Sequence, residues 1–511
     1  MRLLIENCKV FGEETRSVLV EGATITRTAE SPTQTVPAET VRVDGNGATL
    51  LSGLVDSHCH PFEYGWLKRN IDLRGTSSVT GLRLRLSARL LRSEPGQWVT
   101  GMGWDHEAFT GRKMPGKVDI DDISPRNPVA LTRVDGHVAL LNTRAIESLG
   151  LEARVGDEYE RGPDGKLTGI VKERALSDVF SAIPRSADES ASGLLNVEVE
   201  AVRFGLTRLH CIISPEGYKE ELGALASLNG SGSLSMCHSV YIPPEALGYV
   251  SETGLRQRFG DDHVRLNGVK IYADGSLGSR SAALREPYSD DSGNTGLLRH
   301  SDEQLSELVE KVDAAGYQAI VHAIGDRAIE QAIGAISRVS GSRNPRRHRI
   351  EHASLLPPDL LAKMAKCGIR ASVQPCFITS DTWAVDRLGE ERAAHLYPLR
   401  SMLEAGIIAS GSSDSPVETL SPIIGAWAAS VRRGVAPEET LSLEQSLSLY
   451  TMNAVSNGLD DYMGIREGAP ADLTLLDSNV EAMHPALFRK VGVTAVVIRG
   501  ELVSPSDGGR V

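Results

Sequence analysis

Eight apolar stretches recur along the chain, and most are followed by glycine, proline or serine and then by a helical pattern. They cover residues 53–60, 205–212, 234–241, 266–272, 318–322, 348–352, 370–374 and 407–410. Strands that alternate with helices form parallel βα units, and eight such units close most economically into a barrel. The clearest helical pattern covers 301–315, with Ser301 as the expected N-cap. The sequence therefore predicts an α/β protein with a TIM (β/α)8 barrel.

The two ends of the chain and one long gap lie outside this repeating pattern. Residues 1–52 and 464–511 contain short alternating apolar runs separated by turn residues. Neither end could bury a core alone, so we expect both to form one small β-sandwich, with the barrel (53–463) inserted between them. The gap after the first strand is too long for a loop without structure. We predict an inserted subdomain over about 61–196 that covers the barrel as a lid.

The charge and the cysteine content limit the class of protein. There are 67 acidic and 54 basic residues, and the formal net charge of −13 argues against nucleic acid or an anionic membrane as a partner. No apolar run approaches a membrane span, and the first residues lack the apolar core of a signal peptide. The 6 cysteines are scattered, as expected for reduced thiols. These features favour a cytoplasmic protein, with a homodimer as the default assembly.

Side chains able to bind metal stand at the ends of the predicted strands. They are His58 and His60 after the first strand, Lys270 in the fourth, His322 and His352 at the ends of the fifth and sixth, and Asp414 after the eighth. His58 and His60 are two residues apart, so both imidazoles point to one face of a strand. Cys59 points to the other face and is expected to pack in the core. One such histidine is usually structural, but four histidines and an aspartate at strand ends converge in a barrel and suit a zinc-like ion.

The segment 51–60, with the sequence Leu-Ser-Gly-Leu-Val-Asp-Ser-His-Cys-His, resembles the opening metal motif of the amidohydrolase superfamily. More narrowly, the chain resembles N-substituted formamide deformylases and related metal-dependent hydrolases. Further segments that carry this resemblance are 133–137 with Asn142, 165–173, 269–280, 321–328 and 349–353. The resemblance implies a distorted TIM barrel flanked by a small β-sandwich.

The same resemblance implies a binuclear metal centre. By the superfamily pattern, His58, His60 and Asp414 hold one divalent ion, and His322 and His352 hold the second. Lys270 bridges the two ions as a carboxylated side chain, because a plain ammonium group beside two cations would repel them. Two Zn²⁺ ions are expected, with Mn²⁺ or Fe²⁺ as alternatives. If Lys270 is not carboxylated, a single ion is expected.

Roles for other residues follow from this implied mechanism. A metal-activated hydroxide attacks the substrate carbonyl, and Asp414 acts as general base and later protonates the leaving nitrogen. His137, in a turn of the inserted subdomain, is the expected donor to the oxyanion. The candidates for substrate contact are Tyr272, Asp274, Ser276, Arg133 and Asn142. Residues 274–276 could equally form a tight turn. Glu351 alternates with His352 and is expected to face away from the site, in a structural role.

The resulting hypothesis is a metal-dependent enzyme that hydrolyses a carbon–nitrogen bond other than a peptide bond, in a small amide or N-formyl amide. Deamination and the hydrolysis of cyclic amides or esters are the alternative reactions on the same scaffold. A non-catalytic scaffold protein is the interpretation from a different class. It is disfavoured, because the chain retains every expected type of ligand.

Overall fold

The chain divides into two units, one formed by residues 1–64 together with the chain from 194 onwards, the other by residues 65–193. The structure, a computed structural model, describes residues 1–134, 138–156, 158–172, 174–183, 186–341, 343–432, 436–461, 463–481 and 483–503. Within these ranges, none of the helices has the length and apolar character of a bilayer span.

Eight parallel strands form the main sheet of the first unit. They are β1 (Leu54–Cys59), β2 (Leu206–Ile212), β3 (Cys237–Ile242), β4 (Val264–Tyr272), β5 (Gln318–Ala323), β6 (Arg349–His352), β7 (Arg370–Val373) and β8 (Ala409–Gly411). Each strand pairs with the next one in chain order, and each overlaps one of the eight predicted runs. The short strand Phe259–Gly260 pairs with β4 in the antiparallel direction. The prediction of a distorted TIM barrel is therefore confirmed.

The barrel closes between β8 and β1 through the chain that follows β8. The backbone N–H of Asp414 donates to the carbonyl oxygen of His58 at 2.8 Å, and the N–H of His60 donates to the carbonyl oxygen of Ser415 at 2.8 Å. These bonds hold the ends of the first and last strands side by side. As a result, His58, His60 and Asp414 lie together at the carboxyl end of the strands, where barrel enzymes place their active sites.

The helices of the first unit connect the barrel strands, follow β8 or, at Pro485–Phe488, lie between the strands Leu473–Leu476 and Val493–Ile498. Outside 65–193 they are Tyr218–Gly230, Pro244–Glu252, Asp302–Ala314, Asp326–Ser340, Pro358–Lys366, Phe377–Ser380, Ala384–Ala393, Leu399–Glu404, Pro422–Val431, Leu443–Tyr450, Met452–Asn457 and Pro485–Phe488, with a 3₁₀ turn at Pro437–Glu439. Two more helices, Pro61–Arg69 and Ala187–Arg203, each contain a boundary between the two units. Ser301 caps Asp302–Ala314, as predicted: its hydroxyl accepts the N–H of Gln304, whose side chain accepts the N–H of Ser301.

Two small sheets are built from both ends of the chain. The first contains Thr24–Ala29, Ser17–Glu21, Arg2–Glu6 and Val41–Asp44, and the second Lys9–Val10, Thr49–Ser52, Leu473–Leu476, Val493–Ile498 and Glu501–Val503, each in spatial order. Leu3, Val18 and Ile25 of the first sheet share one core with Leu50 and Val497 of the second. This shared core confirms the predicted β-sandwich and explains how segments so far apart in sequence form one body.

The second unit has its own six-stranded sheet. In spatial order the strands are Tyr159–Arg161, Leu167–Lys172, Val138–Leu141, Val129–Arg133, Val99–Trp104 and Ile71–Asp72. The helices are Val79–Leu90, Thr143–Ser148 and Arg174–Ser181, with 3₁₀ turns at His106–Ala108, Lys117–Asp119 and Leu151–Ala153. Leu82, Val129 and Leu140 belong to one apolar core of this unit, and Ala130, with Leu141, belongs to another. The insertion therefore packs around apolar residues of its own.

Candidate metal centre

Three side chains able to bind metal meet at the end of β1. His58, His60 and Asp414 each contribute one ligand atom to a cluster in which all these atoms lie within 4.8 Å of one another. The Nε2 atoms of His58 and His60 are each 3.3 Å from Oδ1 of Asp414. The side chain of His58 is fully buried, whereas those of His60 and Asp414 are 18% and 13% exposed. One side of the cluster is therefore accessible.

The carboxylate of Asp414 is ionised in this cluster. Burial alone would raise its pKa, but hydrogen bonds with His58 and His60 hold the pKa well below its usual value. The backbone of Asp414 is left-handed, with φ of 54°, a conformation that costs free energy for residues other than glycine. Strain of this kind is characteristic of functional sites, and here it accompanies the turn that brings the carboxylate beside both imidazoles.

Lys270 in β4 reaches the same cluster. Its Nζ lies 3.2 Å from Nε2 of His58 and 4.8 Å from the centre of the Tyr272 ring, and the residue is only 1% exposed. Burial lowers the pKa of Lys270 to about 8, against the opposing effect of the carboxylates of Glu351 and Asp414. Its amine is therefore partly neutral near pH 8, unlike that of an ordinary lysine.

His322 and His352 form a second pair of imidazoles next to the cluster. Their ring centres are 4.4 Å apart, and the ring of His352 is 5.1 Å from that of His58. Nε2 of His322 donates to the carbonyl oxygen of Gly275 at 3.1 Å, and Nδ1 of His352 donates to Oε1 of Gln374 at 2.8 Å. Burial lowers the pKa of both rings, to about 3 for His352. Both rings are therefore neutral, and the second nitrogen of each keeps its lone pair.

Glu351 also faces the cluster, so the expectation that it faces away is wrong. Its Oε2 contacts Nδ1 of His58, and its Oε1 accepts a hydrogen bond from Nε of Arg349 at 2.6 Å. Burial alone would raise the pKa of Glu351, but Arg349 and His58 hold it well below its usual value. The alternation of a regular strand is broken at the end of β6, because His352 has a left-handed backbone with φ of 71°.

The loop after β4 is held together by Asp274. This residue is completely buried, and its carboxylate accepts the backbone N–H groups of Ala283, Ile324 and Gly325 at distances of 2.9 to 3.1 Å. Burial raises the pKa of Asp274 to about 7, although these hydrogen bonds act in the opposite direction. We therefore correct the prediction that Asp274 contacts substrate, since its oxygens bind the protein's own backbone.

Asn142 also has a structural role, as the N-cap of a helix in the second unit. It is completely buried, and its Oδ1 accepts the N–H of Ala145 at 2.9 Å, as the N-cap of the following helix. Its Nδ2 donates to the carbonyl oxygen of Asn127 and to the hydroxyl of Ser124, both at 2.8 Å. The prediction that Asn142 contacts substrate is corrected, because its amide is fully engaged within this unit.

The remaining predicted site residues are Ser276, Arg133 and His137. Ser276 is exposed, and its hydroxyl lies 2.8 Å from that of Ser279 in the loop after β4. Arg133 belongs to the second unit, where its Nη2 is 3.5 Å from Oδ1 of Asp105. His137 lies outside the described residues. Ser276 therefore has a polar neighbour in its own loop and Arg133 has one in its own unit, while the role of His137 stays a prediction.

A cavity of about 760 Å³ opens beside Lys270 and Tyr272. The ring of Tyr272 lies 5.3 Å from that of His322, so this tyrosine connects the cluster with the cavity. Arg299 also lines the cavity, and its guanidinium lies 5.4 Å from the Tyr272 ring. No sequence motif marked Arg299, which follows a long loop. The cavity has the size of a pocket for a small organic molecule.

Comparison with known proteins decides the family. The model of the amidohydrolase family matches residues 42–504. The chain belongs to the amidohydrolase family. YtcJ of Bacillus subtilis (strain 168), named after the same family, is 28% identical over 96% of this chain and 96% of its own length. The N-substituted formamide deformylase of Arthrobacter pascens is 26% identical over 90% of this chain and 89% of its own.

A solved structure is also similar to this amidohydrolase. The crystal structure of an uncharacterized metal-dependent hydrolase from Pyrococcus furiosus is 29% identical, with a TM-score of 0.83 over 95% of this chain and 100% of that one. The family and this likeness show that the chain is a metal-dependent hydrolase. The side chains of the cluster fit that description, because imidazole nitrogens and carboxylate oxygens are the ligands that divalent zinc-like ions prefer.

Proposed function

We propose that this amidohydrolase cleaves the carbon–nitrogen bond of a small amide or N-formyl amide that is not a peptide. The observation that supports this most is the convergence of His58, His60 and Asp414 with Lys270 at the carboxyl end of the barrel. The adjoining cavity has room for a small substrate. The similarity to a protein named as an N-substituted formamide deformylase favours an amide-type carbonyl as the reacting group.

Two divalent ions, Zn²⁺ or alternatively Mn²⁺ or Fe²⁺, are proposed for this centre. One would be held by His58, His60 and Asp414, and the other by His322 and His352, with Lys270 as a carboxylated bridge. The neutral state of the two paired imidazoles supports this assignment, since protonated rings could not bind a metal. The partly neutral amine of Lys270 supports the bridge, because only a neutral amine reacts with carbon dioxide.

Asp414 is the proposed general base. When bound, a divalent metal supplies a lowered pKa for water and polarises a carbonyl group. The carboxylate of Asp414 is ionised and partly accessible. It can therefore take the proton of the attacking water and deliver it to the nitrogen as the carbon–nitrogen bond breaks. Tyr272, on the wall of the cavity, is the proposed substrate contact.

A substrate screen with metal-loaded protein tests this proposal. Purified protein loaded with Zn²⁺ or Mn²⁺ is assayed with N-formyl amines, acyl amides, cyclic ureas, esters and amino heterocycles. We expect hydrolysis of an N-formyl or acyl amide, detected as released amine. The variant Asp414→Asn tests the general base. We expect it to have a normal circular-dichroism spectrum and a kcat lower by about 10²-fold or more.

The other outcomes are distinguishable. Turnover confined to esters, cyclic ureas or amino heterocycles would replace the proposed reaction by one of its alternatives. Full turnover in Asp414→Asn would refute the role of general base, whatever the substrate. Activity in protein that elemental analysis shows to be free of divalent metal would refute the metal centre.

A further inference from the structure

A row of three buried side chains runs from the barrel interior to the metal cluster. Arg349, Glu351 and His58 are each 0% exposed. Nε of Arg349 donates to Oε1 of Glu351 at 2.6 Å, and Oε2 of Glu351 contacts Nδ1 of His58. The opposite nitrogen of His58, Nε2, lies 3.3 Å from Oδ1 of Asp414 and 3.2 Å from Nζ of Lys270. Glu351 therefore contacts the His58 ring at Nδ1, the nitrogen that faces away from Asp414 and Lys270.

This contact determines which nitrogen of His58 can bind a metal. The buried guanidinium of Arg349, bonded to Oε1 of Glu351, favours the ionised form of this carboxyl group, and an ionised carboxylate can only accept from the imidazole. Nδ1 of His58 therefore carries a proton and donates to Glu351, and Nε2, which lies beside Asp414 and Lys270, is the nitrogen left to bind a metal. Carboxylates that fix metal-binding histidines in this way orient the ring and raise its basicity.

Arg349 fixes the carboxylate in turn. Besides Glu351, it donates through Nη2 to the carbonyl oxygen of Ser57 at 2.9 Å, in the residue that precedes His58. Its Nη1 lies 3.3 Å from the hydroxyl of Tyr241, and its guanidinium stacks 4.7 Å from that ring. One cation thus holds both the backbone of β1 and the partner of the His58 side chain. A pair of buried charges with this many hydrogen bonds is well compensated.

We propose that Glu351 is a positioning residue of the metal centre: held by Arg349, it fixes the ring of His58 with Nε2 towards the metal. This role rests on the metal centre of the proposed function but not on its substrate. The ordinary alternative is that Glu351 only balances the buried charge of Arg349. Replacing Glu351 by the neutral glutamine, which has the same shape, separates the two alternatives. Metal binding should weaken if Glu351 positions His58 and should stay unchanged if it only balances Arg349.

The experiment compares Glu351→Gln with Glu198→Gln. Glu198 is a matched control, since it is 1% exposed and its Oε1 lies 2.7 Å from Nε2 of His238. That histidine belongs to β3, a strand that carries none of the proposed ligands. Metal-depleted proteins are titrated with Co²⁺ against a chelating dye, and the visible absorption of the bound cobalt is recorded. For Glu351→Gln we expect Co²⁺ affinity lower by about 10- to 100-fold and an altered spectrum, and for Glu198→Gln the wild-type affinity and spectrum.

A wild-type affinity and cobalt spectrum in Glu351→Gln would overturn the proposal, as would an equal loss in both variants. If Glu351→Gln does not fold, a crystal structure of the wild-type protein loaded with Zn²⁺ decides. Metal on Nε2 of His58, with Nδ1 on Glu351, supports the proposal; metal on Nδ1 or a displaced Glu351 refutes it. Because none of these measurements needs a substrate, failure of the proposed hydrolysis would leave their outcome unaffected.

Discussion

The reactivity of a single buried amine underlies the proposed bridge between two metals. With a pKa of about 8, Lys270 is about half neutral at pH 8, whereas an ordinary lysine is about 1% neutral or less. Carboxylation joins the amine nitrogen to the carbon of CO₂ and releases one proton, so it is favoured as the pH rises towards and above 8. We expect metal-depleted protein to regain more activity with bicarbonate and Zn²⁺ at pH 8.5 than at pH 6.

The measurement is ¹³C NMR of protein reconstituted with ¹³C-bicarbonate, together with the recovered activity. A carbamate resonance should appear in the wild type at pH 8.5 and be absent from Lys270→Ala, which should also recover little activity. Full recovery in buffer free of CO₂, without a carbamate resonance, would contradict the carboxylated bridge.

The sequence indicated which ligand-type residues come together, because each one lies in or just after an apolar run that forms a strand of the barrel. It did not indicate Glu351, because the strand rule places neighbouring residues on opposite faces and the left-handed backbone of His352 breaks that rule. The sequence analysis misassigned Asp274 and Asn142, because a polar residue inside a motif can bind either a substrate or the backbone of its own chain. Only burial distinguishes these uses, and burial depends on the whole fold.

At the scale of elements, His348, just before β6, hydrogen-bonds to the backbone of β5. Its titration makes the stability of the fold depend on pH. Its Nδ1 accepts the backbone N–H of Ala319 at 2.9 Å, and its Nε2 lies 3.1 Å from Oδ1 of Asp313. Burial lowers the pKa of His348, against the effect of Asp313. The unfolded chain therefore binds a proton at this residue more readily than the folded one, so His348 reduces stability as the pH falls below about 6.5.

We expect the wild-type melting temperature to fall more between pH 7.5 and pH 5.5 than that of His348→Asn. Asparagine can still accept the N–H of Ala319 through Oδ1 but does not titrate. The control is His395→Asn, at a half-buried histidine, which should lose as much stability as the wild type over the same range. Parallel pH curves for the wild type and His348→Asn, recorded by calorimetry, would contradict this role.

The elements themselves were largely predictable, since long apolar runs between turn residues fix the existence of a strand better than its ends. The run at 234–241 illustrates the limit: its strand is Cys237–Ile242, because the pairing with β2 begins only at Cys237. β8 has only three residues. The closure of the barrel therefore depends on backbone bonds around Asp414, which no apolar pattern records.

At the scale of the whole molecule, the family was identifiable from the segment 51–60 and is confirmed by the match over 42–504. The interior of the insertion was not predictable in the same detail. Its strand Val99–Trp104 contains two glycines, which weaken the alternation that marks a strand. Local patterns in the sequence therefore predicted the barrel and the β-sandwich. For the insertion they predicted a separate subdomain but not its strands.

The proposed ligands lie in or beside β1, β4, β5, β6 and β8, so bound metal would link strands that are distant in sequence. Metal that binds the folded chain and not the unfolded one stabilises it by mass action, by about 4 kcal/mol when the free metal is 1,000 times Kd. We expect a chelator to lower the melting temperature of the wild-type protein, measured by calorimetry with elemental analysis of each sample. The double variant His60→Asn/His352→Asn, which removes one proposed ligand of each ion, should melt at the chelated wild-type temperature with or without chelator. His395→Asn should respond like the wild type, since His395 is not a proposed ligand. Equal melting temperatures for metal-loaded and metal-free wild-type protein would contradict the prediction that bound metal stabilises the barrel by linking its strands.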